Sequence, residues 1–201
     1  MVDRLKQEYG GRIQVVWNAF ELRPEPAPLP EPASPARVQR WTVSVLPMAA
    51  ERGLVMKVPP VSTRTRLTFQ AVELAREHGA FDAMHRAIFE AFFCKGLDIG
   101  DARILADLAG AIDLDPALVM RALQAGTYLN PVLQQEQLAR KLGVTGVPAM
   151  FVGDDLAVAE PVIGAVPYDW LKATVDRALQ GDSLEWRRRS LSSSIPLKPD
   201  E

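Results

Sequence analysis

One thiol, two histidines and a scatter of carboxylates are the side chains that could carry chemistry in this 201-residue chain. Thiol–disulfide exchange needs an attacking thiolate and a resolving partner, and Cys94 has no second cysteine to resolve it. Cys94 follows Ala87 and Ala91 at helical spacing, beside a face carrying Phe81, Ile88, Phe89 and Phe92, which the pattern puts in a core. That placement favours a buried, inert cysteine over a redox nucleophile. His78 ends a helical run, where an imidazolium would meet the helix dipole favourably. His85 lies one position off the apolar face of the next run. Neither histidine has a cysteine or paired carboxylates at ligand spacing, so no metal site and no cofactor are expected. Asp98, Asp101, Asp154 and Asp155 read as caps and turn residues, and no calcium-loop spacing occurs. There is no GxSxG, P-loop or dinucleotide fingerprint.

The more informative chemistry is in the backbone. In "KLGVTGVPAMFV", residues 141–152, Leu138 and Leu142 keep helical spacing and Gly143 follows as a helix stop. Pro148 cannot donate to a sheet ladder, so it fits the first residue of a strand or a turn. Ala149–Val152 then reads as a short buried strand. Gly146 and Gly153 are explained by tight turns.

The elements that must position this loop follow from the rest of the chain. Residues 3–9 read as the end of a helix stopped by Gly10-Gly11, and "RIQVVWNAF", 12–20, as a strand. Prolines at 24, 26, 28, 30, 32 and 35 make the next stretch an extended connector, with a docking motif for a partner as the other reading. From 37 to 143 the pattern is helical: a run over 37–52 interrupted by Pro47, a helix over 64–78, and the phenylalanine-rich run after it. Asp101 and Asp115-Pro116 predict helix starts, and Asn130-Pro131 repeats the signature before the helix that ends at Gly143. Residues 157–164 give a second strand, made an edge by Pro161, and a final helix runs from Pro167 to near Gly181. The predicted division is 1–36, a first half-domain; 37–143, an all-helical insertion; 144–183, a closing half-domain; and 184–201, a mobile tail. Arg187 to Arg189 in that tail read as a solvated end rather than a basic handle.

An apolar fraction of 48% with 24% charged residues is an ordinary globular balance. A net charge of −2 argues against nucleic acid or an anionic membrane as an electrostatic partner. No apolar run reaches membrane-span length, and "MVDRLKQEYGG" does not read as a signal peptide, so a cytoplasmic location is expected.

With "GVTGVPAMFV" at its junction, this order of elements resembles the DsbA family of the thioredoxin superfamily, particularly its FrnE-like members. "WNAFELRPEP" is similar to the family's second strand and following loop. "GLDIGDARILADLA" resembles its GxDIxDxxxLxxLA helix start, and "VIGAVPYDWLKATVDRAL" its closing helix. The similarity covers residues 1–181. It implies an α/β thioredoxin-like fold with a helical insertion, a cis Val147-Pro148 bond, and protein disulfide oxidoreductase or isomerase activity on polypeptide thiols. It also implies that Gly146, Val147 and Pro148 bind substrate backbone, and that Pro148 keeps metal from the thiols. In the family a Cys-X-X-Cys pair opens the first helix, after a first strand; neither is in this sequence, and the chain is expected to be catalytically silent. Of a late start codon, a trimmed end and a degenerate paralogue, the first is the expectation. Two other readings share the fold: a glutathione-using hydroxychromene-carboxylate isomerase or kappa-class transferase relative, and a non-catalytic peptide-binding protein. Glutathione and a homodimer are therefore candidate partners beside polypeptide substrates.

Overall fold

A computed structural model describes residues 1–181. The predicted tail 184–201, with Arg187 to Arg189, lies outside the described residues. The chain divides into two compact units: Met1–Trp17 with the chain from Gly143 onward, and Asn18–Leu142.

The first unit holds α1 (Val2–Tyr9), a hairpin of β1 (Ala149–Val152) and β2 (Glu160–Ile163), and α9 (Tyr168–Leu179). The strands are antiparallel, with Ala149 opposite Ile163 and Val152 opposite Glu160. One apolar cluster holds the unit: Leu5 and Tyr9 of α1, Val162 of β2, and Leu171 and Val175 of α9. Tyr9 donates its hydroxyl to Asp176 at 2.6 Å and accepts from Lys172 Nζ at 2.8 Å, so its buried ring ends in a satisfied polar tip. Gly10, at φ 54°, stops α1 as the sequence predicts.

The second unit is helical: α2 (Pro35–Arg40), α3 (Leu46–Ala50), α4 (Arg66–Glu77), α5 (Phe81–Phe89), α6 (Ala102–Gly110), α7 (Pro116–Ala125) and α8 (Leu129–Lys141). Its core joins Leu74 and Ala75 of α4, Met84 and Ile88 of α5, Leu105 of α6 and Val119 of α7. Asp101 and Asp115 cap α6 and α7, accepting from the N–H groups of Arg103 and Ala117.

Four expectations need correction. Residues 12–20 form no paired strand among the described residues. Ile13 is extended, at φ −128° and ψ 147°, but β-branched residues make a strand only beside a ladder partner. Pro47 does not interrupt its helix. Having no N–H to return to Val43, it is accommodated by a wide turn over Trp41–Val45, where the Leu46 N–H reaches the Trp41 carbonyl. Asn130 does not open α8, which begins at Leu129 with Tyr128 at its cap. Phe89 is not in the core. It is 52% exposed, because Met84, Ile88 and Ala91 hold the inward stripe of the helix and Phe89 lies about 100° away from Ile88.

The helical unit begins at Asn18 rather than 37, because residues 19–21 are bonded to α4 and α8. Gln135 Oε1 takes the Ala19 N–H at 2.6 Å, and Arg66 Nη2 meets Glu21 Oε2 at 2.9 Å.

Candidate functional site

The first unit carries a groove of about 240 Å³ lined by residues 143–148 and by Ile163 and Gly164. Local sequence builds it. α8 ends at Lys141, and Gly143, at φ 76°, takes the left-handed turn that releases the chain from the helix. The chain then runs through Val144, Thr145, Gly146 and Val147 to Pro148, and the Val147–Pro148 peptide bond is cis. Pro148 stands immediately before β1, where a missing N–H costs no ladder bond. Its carbonyl accepts the Gly164 N–H at 2.8 Å, tying the loop to the end of β2. A second cis bond, Glu25–Pro26, was not anticipated.

Two properties fix what this groove can do. Its side chains are mostly apolar, Thr145 being the polar exception, with Val147 at 54% and Ile163 at 62% exposure. The backbone N–H and C=O groups of residues 144–147 make no hydrogen bond within the described structure. β1 has β2 on one side and no strand on the other among the described residues. Unbonded backbone beside an open strand edge, flanked by mostly apolar side chains, can take an extended peptide as an added strand.

Gly146, Val147 and Pro148 line the groove, and the other candidates lie elsewhere. Cys94 sits in the helical unit, in a wide helical turn over Glu90–Lys95. It is half-buried rather than enclosed, and its Sγ donates to the Val55 carbonyl at 3.0 Å. His78 closes α4, with Nδ1 2.9 Å from the Leu74 carbonyl. His85 lies between rings, stacked on Phe89 at 4.7 Å and edge-on to Phe81 at 5.3 Å. Asp98 and Asp155 bond the N–H groups two residues on, at Gly100 and Ala157, as turn residues do. Asp154 is exposed. Among the described residues, no three His, Cys, Asp or Glu side chains converge to hold a metal.

Sequence reasoning missed a buried polar cluster in the helical unit, made by Glu21, Arg66, Gln70 and Glu136. A signal existed: Glu136 stands four residues after Val132, on the inward stripe of α8.

Comparison with known proteins agrees with this architecture. The family model of the DSBA-like thioredoxin domain matches residues 1–176. The uncharacterized protein YwbO of Bacillus subtilis (strain 168) is 34% identical over 149 residues, spanning 72% of this chain and 74% of that protein. The crystal structure of a probable DsbA oxidoreductase from Streptomyces coelicolor matches 94% of this chain and 80% of that one. Its TM-score is 0.61 at 24% identity, a likeness of fold.

Proposed function

The chain belongs to the DSBA-like thioredoxin domain family, a family of thiol–disulfide oxidoreductase type, and from that premise we propose that it binds polypeptides of the kind whose thiols or disulfides the family exchanges. Gly146, Val147 and Pro148 hold the substrate backbone, and the groove beside them accepts its apolar side chains. The observation that carries this reading is the run of unbonded backbone over residues 144–147, next to the open edge of β1. "LRPEP" and "DIGD" support placing it among the FrnE-like members. A single cysteine supports a reducing compartment such as the cytosol, and no helix of the described residues is long and apolar enough to cross a membrane.

With Cys94 as its only thiol, the 201-residue polypeptide binds substrate without turning it over. The test is fluorescence anisotropy of an extended, apolar peptide whose cysteine is alkylated, with the wild type and with Val147→Asp. Val147 is exposed, so a carboxylate there leaves the fold intact but sets a charge against the peptide. Affinity should fall about tenfold, equivalent to ~1.4 kcal/mol. Equal affinity for the two proteins would remove the groove from the reading. In a parallel arm, insulin reduction with dithiothreitol should show no acceleration by the polypeptide. Acceleration that disappears in Cys94→Ser would make Cys94 catalytic.

A further inference from the structure

Away from the groove, the helical unit buries charge that the proposed function does not use. Glu136 of α8 is 1% exposed; its Oε2 accepts from Arg140 Nη2 at 3.1 Å, while its Oε1 has no hydrogen-bond partner. Facing it are Glu21 from the segment before the proline-rich stretch, and Arg66 from α4. The Glu21 side chain is 3% exposed and is held through one oxygen by Arg66, Nε at 3.1 Å and Nη2 at 2.9 Å. One turn along α4, Gln70 gives its Nε2 to the Arg66 carbonyl at 3.4 Å and leaves its own Oε1 buried and unpaired. The backbone joins in: the Ala19 N–H is held by Gln135 Oε1, and the Glu21 N–H points at the Glu136 carboxylate.

This arithmetic of donors and acceptors is unbalanced. Two buried oxygens, Glu136 Oε1 and Gln70 Oε1, make no hydrogen bond, and an unpaired buried acceptor is costly. A proton on Glu136 corrects the imbalance, because it removes a buried charge and turns an orphan acceptor into a donor. We propose that Glu136, with Glu21, Arg66 and Gln70, forms a proton-operated clamp that fastens residues 19–21 to α4 and α8 when Glu136 is neutral and loosens when it ionises. These residues stand at the start of the helical unit, so the clamp governs the order of its first residues.

The opposing influences can be ranked. Burial is the largest and raises the Glu136 carboxyl above its ordinary value, and the charge of Glu21 adds to it. Arg66, Arg140 and the Glu21 N–H pull the other way. The arginines are weakened by solvent, since the side chains of Arg66 and Arg140 are 34% and 60% exposed. A carboxyl raised on folding keeps a proton that the unfolded chain loses. Clamp stability is therefore present below the ordinary glutamate range and is lost as pH rises through the folded value.

The experiment is hydrogen exchange of the Ala19 and Glu21 amides, expressed as protection factors from about pH 3.5, below the ordinary glutamate value, to about pH 8, for the full chain and Glu136→Gln. Wild-type protection should fall by about tenfold for each unit by which the folded carboxyl lies above the unfolded one. Glu136→Gln, permanently neutral and of the same shape, should be well protected and flat with pH. A flat wild-type profile, or one of equal slope in the variant, overturns the clamp. Should Glu136→Gln fail to fold, carbon-13 titration of the wild-type Glu136 carboxyl decides the matter. A midpoint at or below the ordinary glutamate value would also overturn it.

Discussion

Ile88 and Phe89 are neighbours in sequence and opposites in environment, which makes them a sharp test of how the helical unit is packed. Ile88 is 4% exposed and touches the core shared by α4, α5, α6 and α7, whereas Phe89 is 52% exposed and lies over His85 and Phe93. Truncating Ile88 to alanine removes three carbons, about 2.4 kcal/mol at ~0.8 kcal/mol each, before the cavity is counted. With the cavity the loss should fall within about 2–5 kcal/mol. A fully buried phenylalanine covers roughly 150–250 Å². Phe89 hides about half of that, so roughly 100 Å² at ~25 cal/mol per Å² sets a ceiling of about 2.5 kcal/mol. Water fills the space it vacates, and no cavity penalty is added. The expectation for Phe89→Ala is therefore about 1–2 kcal/mol, rather than the ~3–5 kcal/mol of a core phenylalanine. Urea denaturation followed by far-ultraviolet circular dichroism, fitted with a common slope, measures both variants. If Phe89→Ala costs as much as Ile88→Ala, the inward stripe of α5 has been assigned to the wrong residues.

Two further substitutions probe local geometry and pH. A Cβ at Gly100 would sit 2.7 Å from the Arg64 carbonyl oxygen and 2.5 Å from Thr63 Oγ1. Gly100→Ala should therefore cost about 1–3 kcal/mol, the range for overpacking, and an unchanged urea midpoint would contradict that close approach. Tyr128 donates to Glu77 Oε2 at 2.6 Å, and that bond, with burial second, pushes its phenol up to about 12. The folded state keeps a proton that the unfolded chain releases near pH ~10. This contribution is complete below that value and declines as pH rises towards 12. Between pH 9 and 11.5 the wild type should lose more stability than Tyr128→Phe, and parallel pH profiles would refute the assignment.

Much of the fold was legible where a single residue's covalent character decides the local backbone. Asp101 and Asp115 cap helices because their carboxylates reach an N–H two residues on. Gly143 and Pro148 mark the helix exit and the strand entry for reasons of dihedral range and a missing donor. Gly146, Val147 and Pro148 came into view through the family resemblance rather than through these local rules, and the structure places all three in the lining of the groove. Where a partner element decides, the same signals misled. The β-branched run at 12–20 finds no ladder partner among the described residues, and Pro47 is absorbed by a wider helical turn that propensity does not encode.

The buried cluster shows the limit most clearly. Glu21 and Glu136 are far apart in sequence, and neither is unusual beside its neighbours. Only the packing of α8 against α4, with residues 19–21 bonded to both, turns two ordinary glutamates into a pair sharing a dry site. An inward glutamate on an otherwise apolar stripe does predict a buried partner, and Arg66 is one turn before Gln70 on the facing helix. What periodicity cannot supply is the count of donors, since that depends on which oxygens the arginines reach. Arg66 spends both nitrogens on a single oxygen of Glu21, and Arg140 reaches only Oε2 of Glu136. The orphaned Oε1 is thus a property of the assembled helices, and it is the reason a proton rather than another side chain completes the site.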